Sequence, residues 1–106
     1  MKRILITGAT GGIGAELVKL YTSHDYFVYA FGTNIEKLNV LKDQYKEKIK
    51  IFQCDMRNKE DIKSAFEENE SELNDINILV NNAGITRDNL FIRLSDSDWD
   101  DVMNIN

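Results

Sequence analysis

Thr7–Gly14 reads TGATGGIG and stands directly behind the apolar run Ile4-Leu5-Ile6. A β-branched strand that enters a glycine-rich turn and leaves it through an amphipathic helix (Ile13, Leu17, Val18, Tyr21) is the arrangement that holds a pyrophosphate. Gly8 suits the tight turn, Gly12 lets backbone approach a phosphate, and Gly14 lets helix and strand pack closely. The N–H groups of the helix's first turn then point at the anion, helped by the positive end of the helix dipole. A glycine triplet alone is a weak signal, with a plain tight turn as its competing reading. The strand before it and the helix after it select the dinucleotide reading.

Apolar runs and helical patterns alternate along the rest of the chain. Ile4–Thr7 reads as a strand and Gly12–Ser23 as a helix; Tyr26–Phe31 reads as a second strand and Ile35–Tyr45 as a second helix, with Ile35, Leu38, Leu41 and Tyr45 on one face. Lys50–Cys54 is a third strand, Lys59–Ser71 a third helix with Ile62, Ala65 and Phe66 as its stripe, and Ile76–Val80 a fourth strand, apolar enough to be covered on both faces. Ser95 or Ser97 caps a fourth helix carrying Trp99, Val102 and Met103. The pattern predicts an α/β fold: the N-terminal half of a Rossmann-type doubly wound parallel sheet, strand order 3-2-1-4, with helices on both faces and the glycine turn at the switch point where ligands bind. Residues 1–106 read as one incomplete domain, with one edge of the fourth strand left unpaired. The acidic run Glu67–Asp75 reads as the solvated end of a helix and its exit loop rather than an interaction tail.

Composition narrows the function. The 106 residues carry 13 Lys and Arg against 18 Asp and Glu, a net charge of −5, which argues against nucleic acid or an anionic membrane as partner. No apolar run approaches a membrane span, and Met1-Lys2-Arg3 is followed by too short an apolar core for a signal peptide, so a cytoplasmic location is expected. The single cysteine, Cys54, forms no internal disulfide and no structural zinc site; it reads as a small core hydrophobe. No metal site is expected. Proline is absent, which suits regular elements and carries no functional message. His24, in the loop after the first helix, has no neighbouring partner residue and reads as solvated.

The glycine turn fits both Gly-x-x-x-Gly-x-Gly and Gly-x-x-Gly-x-x-Gly, because Gly8, Gly11, Gly12 and Gly14 are all present. The segment after the fourth strand discriminates. Asn81-Asn82-Ala83-Gly84, in the context LVNNAGITRDNLFIRLSDSDW, together with the glycine turn and Cys54-Asp55, resembles the short-chain dehydrogenase/reductase family. The run Ile78–Trp99 is similar to its 3-oxoacyl-(acyl-carrier-protein) reductase branch. The resemblance covers the whole chain, which corresponds to the first part of such a reductase.

That resemblance implies roles. Gly8, Thr10, Gly11, Gly12, Ile13 and Gly14 would hold the pyrophosphate and adenosine ribose through backbone N–H groups, with the Thr10 hydroxyl as an added donor. Asp55 would accept a hydrogen bond from the adenine amino group, with the Met56 backbone beside it. Asn82, Ala83 and Gly84 would line the middle of the cofactor and tie the fourth strand to the glycine turn, and Asn106 would help hold a water in the proton relay. From the residues alone, Asp55 also reads as a turn former, Asn81 and Asn82 suit left-handed backbone, and a terminal Asn106 also reads as a structural or frayed residue. Arg87 and Asp88 pair locally or touch a partner subunit; sequence does not choose.

The cofactor expected is NADP(H) rather than NAD(H). The end of the second strand carries Gly32, Thr33 and Asn34 instead of the acid that holds both ribose hydroxyls in NAD sites. Thr33 falls where the similar reductases use a threonine in the adenosine-phosphate pocket. Against this, Gly11 stands where they carry arginine, the loss of a charge-assisted contact worth roughly 1.5–3 kcal/mol. Family chemistry also needs a tyrosine with a lysine four residues on, and a serine upstream. Position +4 is Asp25 after Tyr21, Ala30 after Tyr26, Thr33 after Tyr29 and Ile49 after Tyr45, so the chain by itself is expected to be inactive. The resemblance implies a full-length enzyme acting on acyl thioesters of an acyl-carrier protein in fatty-acid synthesis, usually a homotetramer. A short-chain reductase of another carbonyl compound and a free-standing nucleotide-binding module are the alternatives.

Overall fold

The computed structural model describes residues 1–82 and 90–93. Strands β1 (Arg3–Thr7), β2 (Phe27–Gly32), β3 (Ile49–Gln53) and β4 (Ile78–Asn81) alternate with helices α1 (Gly12–Ser23), α2 (Ile35–Tyr45), α3 (Lys59–Glu68) and α4 (Glu70–Leu73), and β5 (Leu90–Arg93) follows. The sheet order is β3-β2-β1-β4-β5. The first four strands are parallel, with Ile4 opposite both Val28 and Ile78. Strand order 3-2-1-4 and the helical crossovers are those of the doubly wound Rossmann-type sheet.

Alternation along β1 explains why both faces are dry. Ile4 and Ile6 enter one apolar cluster with Val18 of α1 and Leu38 and Leu41 of α2; Leu5 enters the other, with Ile62 of α3 and Leu73 of α4. All three β1 residues are fully buried, each worth about 1.5–3 kcal/mol relative to exposure. Aromatic rings thicken the second cluster: Phe31 stacks on Phe52 at 4.6 Å and on Phe66 at 5.8 Å between centroids.

Several expectations are corrected. The fourth strand's outer edge is not unpaired, because β5 runs antiparallel along it with Ile78 opposite Arg93 and Asn81 opposite Leu90. Only residues 82–89 join the two strands, whereas a parallel return needs a crossover of about a dozen residues or more. The third helix breaks at Asn69, whose side-chain amide donates to the Ala65 carbonyl. The acidic run beyond it is therefore not wholly solvated: Leu73 is buried and Glu72 pairs with Lys50 at 2.9 Å. Ile13, placed by sequence on the apolar stripe of α1, is 58% exposed. The fourth predicted helix, with Trp99, Val102 and Met103, and Arg87 and Asp88 lie outside the described residues.

Candidate nucleotide site at the carboxyl ends of the strands

β1 ends in the glycine turn, and the turn is fixed by its neighbours. Gly8 takes φ 61°, the left-handed backbone a side chain resists. Ala9 N–H donates to Phe31 O at 3.0 Å and Gly11 N–H to Gly8 O at 3.2 Å, tying the turn to the end of β2 and to itself. A Cβ on Gly14 would lie 2.1 Å from Gly8 O and 2.8 Å from Ala9 Cα, so only glycine lets α1 start this close to the turn. A Cβ on Gly12 would meet nothing within 4 Å: the space in front of it is open. The Thr10 side chain lies along the end of β2, its Cγ2 3.3 Å from where a Cβ of Gly32 would stand.

The start of α1 is unlike that of the other long helices. Asn34 caps α2 and Asn58 caps α3 through their side chains, and both helices carry acidic residues in the first turn. Gly11 offers α1 no side-chain cap, and its first turn holds no acid. Its first amides thus have no side-chain cap, and the space where a Gly12 Cβ would stand is open, a combination of the kind that a phosphate fills.

β4 closes the other side. Thr7 Oγ1 donates to Asn81 Oδ1 at 3.1 Å and accepts from the Asn82 N–H at 2.8 Å. Asn82 Nδ2 donates to Gly8 O at 3.3 Å. Strand 4 and the glycine turn are thus joined through residues more than seventy positions apart in sequence. Ala83, Gly84 and Asn106 lie outside the described residues.

β3 delivers the remaining predicted residues. Cys54 N–H donates to Gly32 O at 2.8 Å and Gln53 Nε2 to Thr33 O at 3.2 Å, which holds the ends of β2 and β3 together and leaves the Thr33 side chain exposed. Thr33, Cys54, Asp55 and Arg57 share the rim of a groove of about 530 Å³ that continues along α3 past Ser64. Asp55 is clamped by Arg57: the guanidinium Nε and the Arg57 backbone N–H both donate to Oδ1 (3.1 and 2.9 Å), and Nη2 donates to Oδ2 (3.2 Å). These hydrogen bonds hold the Asp55 carboxyl below the usual carboxylate range. Burial, with Asp61 and Asp55 nearby, pushes the Cys54 thiol up to about 11, which suits a packed core residue and not a nucleophile. Met56 turns its side chain into the second cluster, its Sδ 3.9 Å from Cys54 Sγ. His24 is exposed, as its loop position suggests.

The sequence reading missed Thr7, whose hydroxyl holds both Asn81 and Asn82, and Arg57, which holds Asp55. A signal existed for each: a hydroxyl residue immediately before the glycine turn, and an Asp-x-Arg spacing after a strand. Among the described residues no group of three or more His, Cys, Asp or Glu is arranged to hold a metal ion, and no helix is long and apolar enough to cross a membrane.

A glycine turn of this geometry, at the carboxyl edge of a sheet ordered 3-2-1-4, is accompanied by a sequence match over residues 2–106 to the family described as short chain dehydrogenase. The chain belongs to that family. Among similar proteins, nodulation protein G of Rhizobium sp. (strain N33) is 39% identical over 99% of this chain and 43% of its own length. A 3-oxoacyl-(acyl-carrier-protein) reductase of Rickettsia felis is 43% identical over 99% of this chain and 42% of its own. The chain therefore spans about two-fifths of the curated relatives it matches. Of solved structures, serine dehydrogenase from Escherichia coli superposes with a TM-score of 0.74 at 36% identity, covering 79% of this chain and 39% of that one. ElxO with NADP bound gives 0.69 at 30% identity, over 80% and 36%.

Proposed function

We propose that this chain is the NADP(H)-binding portion of an oxidoreductase that reduces 3-oxoacyl thioesters to 3-hydroxyacyl thioesters in fatty-acid synthesis. The observation that carries the cofactor part is the cradle itself: an uncapped α1 start with open space where a Gly12 Cβ would stand, braced by Gly8, Gly14 and Asn82. Backbone N–H groups of Gly12, Ile13 and Gly14 would hold the pyrophosphate, Thr10 the ribose side, Thr33 the 2′-phosphate and Asp55 the adenine amino group. When bound, the reduced nicotinamide supplies the hydride. NADP over NAD is supported by the absence of a carboxylate at Gly32 and by the NADP held in ElxO. The substrate class is supported by likeness to the 3-oxoacyl-(acyl-carrier-protein) reductases. This reading carries with it an acyl-carrier protein or other acyl thioester as substrate, a homotetramer, and a cytoplasmic location. A second reading, a short-chain enzyme of another substrate, is favoured by the 36% identity to serine dehydrogenase.

Nothing in these 106 residues provides the tyrosine–lysine pair for protonating the substrate oxygen. Tyr29, for one, is buried and its hydroxyl accepts from Arg3 at 3.1 Å. Loss of a positioned proton donor alone costs about 10²–10⁴-fold in rate, so the chain is expected to bind cofactor without turnover.

Gly12→Val tests the cradle cleanly. Its side chain would enter space that no protein atom occupies, so the fold is retained, while phosphate approach is blocked. NADPH fluorescence titration is expected to show binding by the parent and none by the variant, with matching circular dichroism. Equal binding by a folded Gly12→Val chain would remove the phosphate-cradle assignment.

A further inference from the structure

We infer that Arg57 is a positioning residue that aims the Asp55 carboxylate and thereby sets discrimination for adenine over other purines. The inference rests on the reading of Asp55 as the adenine contact and extends it to a residue outside that contact.

The geometry is a three-point clamp. Oδ1 of Asp55 accepts twice, from the backbone N–H and from Nε of Arg57, which uses up its two lone pairs. Oδ2 accepts once, from Nη2, and keeps one direction open. The Asp55 backbone is pinned as well: its carbonyl accepts from the Asn58 N–H at 2.9 Å, at the residue that caps α3. The carboxylate is therefore held in one orientation on the groove rim it shares with Thr33, presenting a single acceptor position at Oδ2. An amino group at the purine 6-position donates to that position. The 6-oxo group of hypoxanthine would set an acceptor against it.

A purely structural role makes a different forecast. The Arg57 side chain is 85% exposed, and exposed ion pairs add little to folding stability. If the pair only decorates the turn, its removal leaves base discrimination where it was. If it aims Oδ2, removal leaves the carboxylate held only by the Arg57 backbone N–H on Oδ1, Oδ2 loses its fixed direction, and discrimination falls while the fold is unaffected. Lysine at the same place keeps the charge but loses the planar fork, so it restores part of the effect.

The test compares NADPH with its hypoxanthine counterpart, each read by its own nicotinamide fluorescence on the 106-residue chain. The parent is expected to prefer the adenine form. Arg57→Ala is expected to reduce that preference by about fivefold, the upper end of what an exposed ion pair delivers, with Arg57→Lys between the two and all melting midpoints close together. The acid limit of NADPH binding is also expected to move up in Arg57→Ala, toward the ordinary carboxylate range. An unchanged preference in Arg57→Ala overturns the inference. Asp55→Ala separates the two layers. If it abolishes the preference and Arg57→Ala does not, only the positioning role falls. If Asp55→Ala leaves the preference intact, the adenine reading of Asp55 falls, and the inference with it.

Discussion

A side chain at position 32 would have to share its space with Thr10 and Leu38, whose nearest carbons lie 3.3 and 3.4 Å from the place a Cβ would take. The end of β2 is thus kept small by the same threonine that flanks the phosphate turn, and an acid there would need both neighbours to give by a few tenths of an ångström. Thr33 follows with its carbonyl held by Gln53 and its side chain free to solvent. Gly32→Asp puts a negative charge beside the proposed site of the 2′-phosphate. At about 4 Å such a pair of unit charges repels by roughly 1–4 kcal/mol between bulk-water and protein-surface screening. NADPH affinity is expected to fall at least about tenfold, the lower part of that range, with NADH affinity changed far less. Parallel fluorescence titrations with the two cofactors check it. An equal loss for both would point to simple crowding of Thr10 and not to charge.

At the scale of elements, the ends matter more than the middles. α3 begins one residue after Asn58, whose Oδ1 accepts from both Glu60 N–H (3.0 Å) and Asp61 N–H (3.3 Å), and Asp61 Oδ2 reaches back to the Asp55 N–H at 3.4 Å. Cap and candidate adenine contact are therefore one unit. Asn58→Ala is expected to cost about 1 kcal/mol of stability, read as a lower urea midpoint, and to weaken NADPH binding through the loosened Asp55. Helix interiors are legible in sequence because apolar spacing maps onto a buried face: α2 runs over Ile35–Tyr45, and Leu38 and Leu41 of its stripe are buried, whereas Ile35 in its first turn is 41% exposed. Strand limits slip by one or two residues, since they depend on pairing rather than composition. Ile76 and Asn77, for example, are spent on a turn to Leu73 O and a contact to Arg3 O before β4 begins. β5 was illegible because Leu90–Arg93 is a short apolar run that fits strand or helix alike until a partner edge is known. The same division holds at the site. The glycine turn is local and readable from its residue types, whereas a hydroxyl just before it marks Thr7 as a candidate without naming Asn81 and Asn82, across the sheet, as its partners.

The molecule as a whole rests on two apolar layers, and Cys54 sits in the second beside the candidate site, 2% exposed. Burial raises its thiol to about 11, and burial also raises the Tyr29 and Tyr21 hydroxyls. A thiol whose folded pKa lies above its unfolded value keeps its proton in the fold after the unfolded chain has lost it. Stability from this group is thus complete below about pH 9, the ordinary thiol value from which burial raises it. It drains away as pH rises toward the folded value of about 11. The full effect is about 2–3 kcal/mol. Asp55 works with the opposite sign at the acid end: held low by Arg57, it favours the fold above the ordinary carboxylate range and ceases to as pH falls. Urea unfolding at pH 8 and again near the folded thiol value isolates the alkaline part when the parent is compared with Cys54→Ala. The tyrosines are common to both chains, so their contribution cancels in the difference. Cys54→Ala starts lower at pH 8 because it leaves a small void, yet it is expected to lose less between the two pH values. Equal losses in the two chains would mean that the thiol ionises in the folded core as readily as in the unfolded chain, and that the second apolar layer admits water at Cys54.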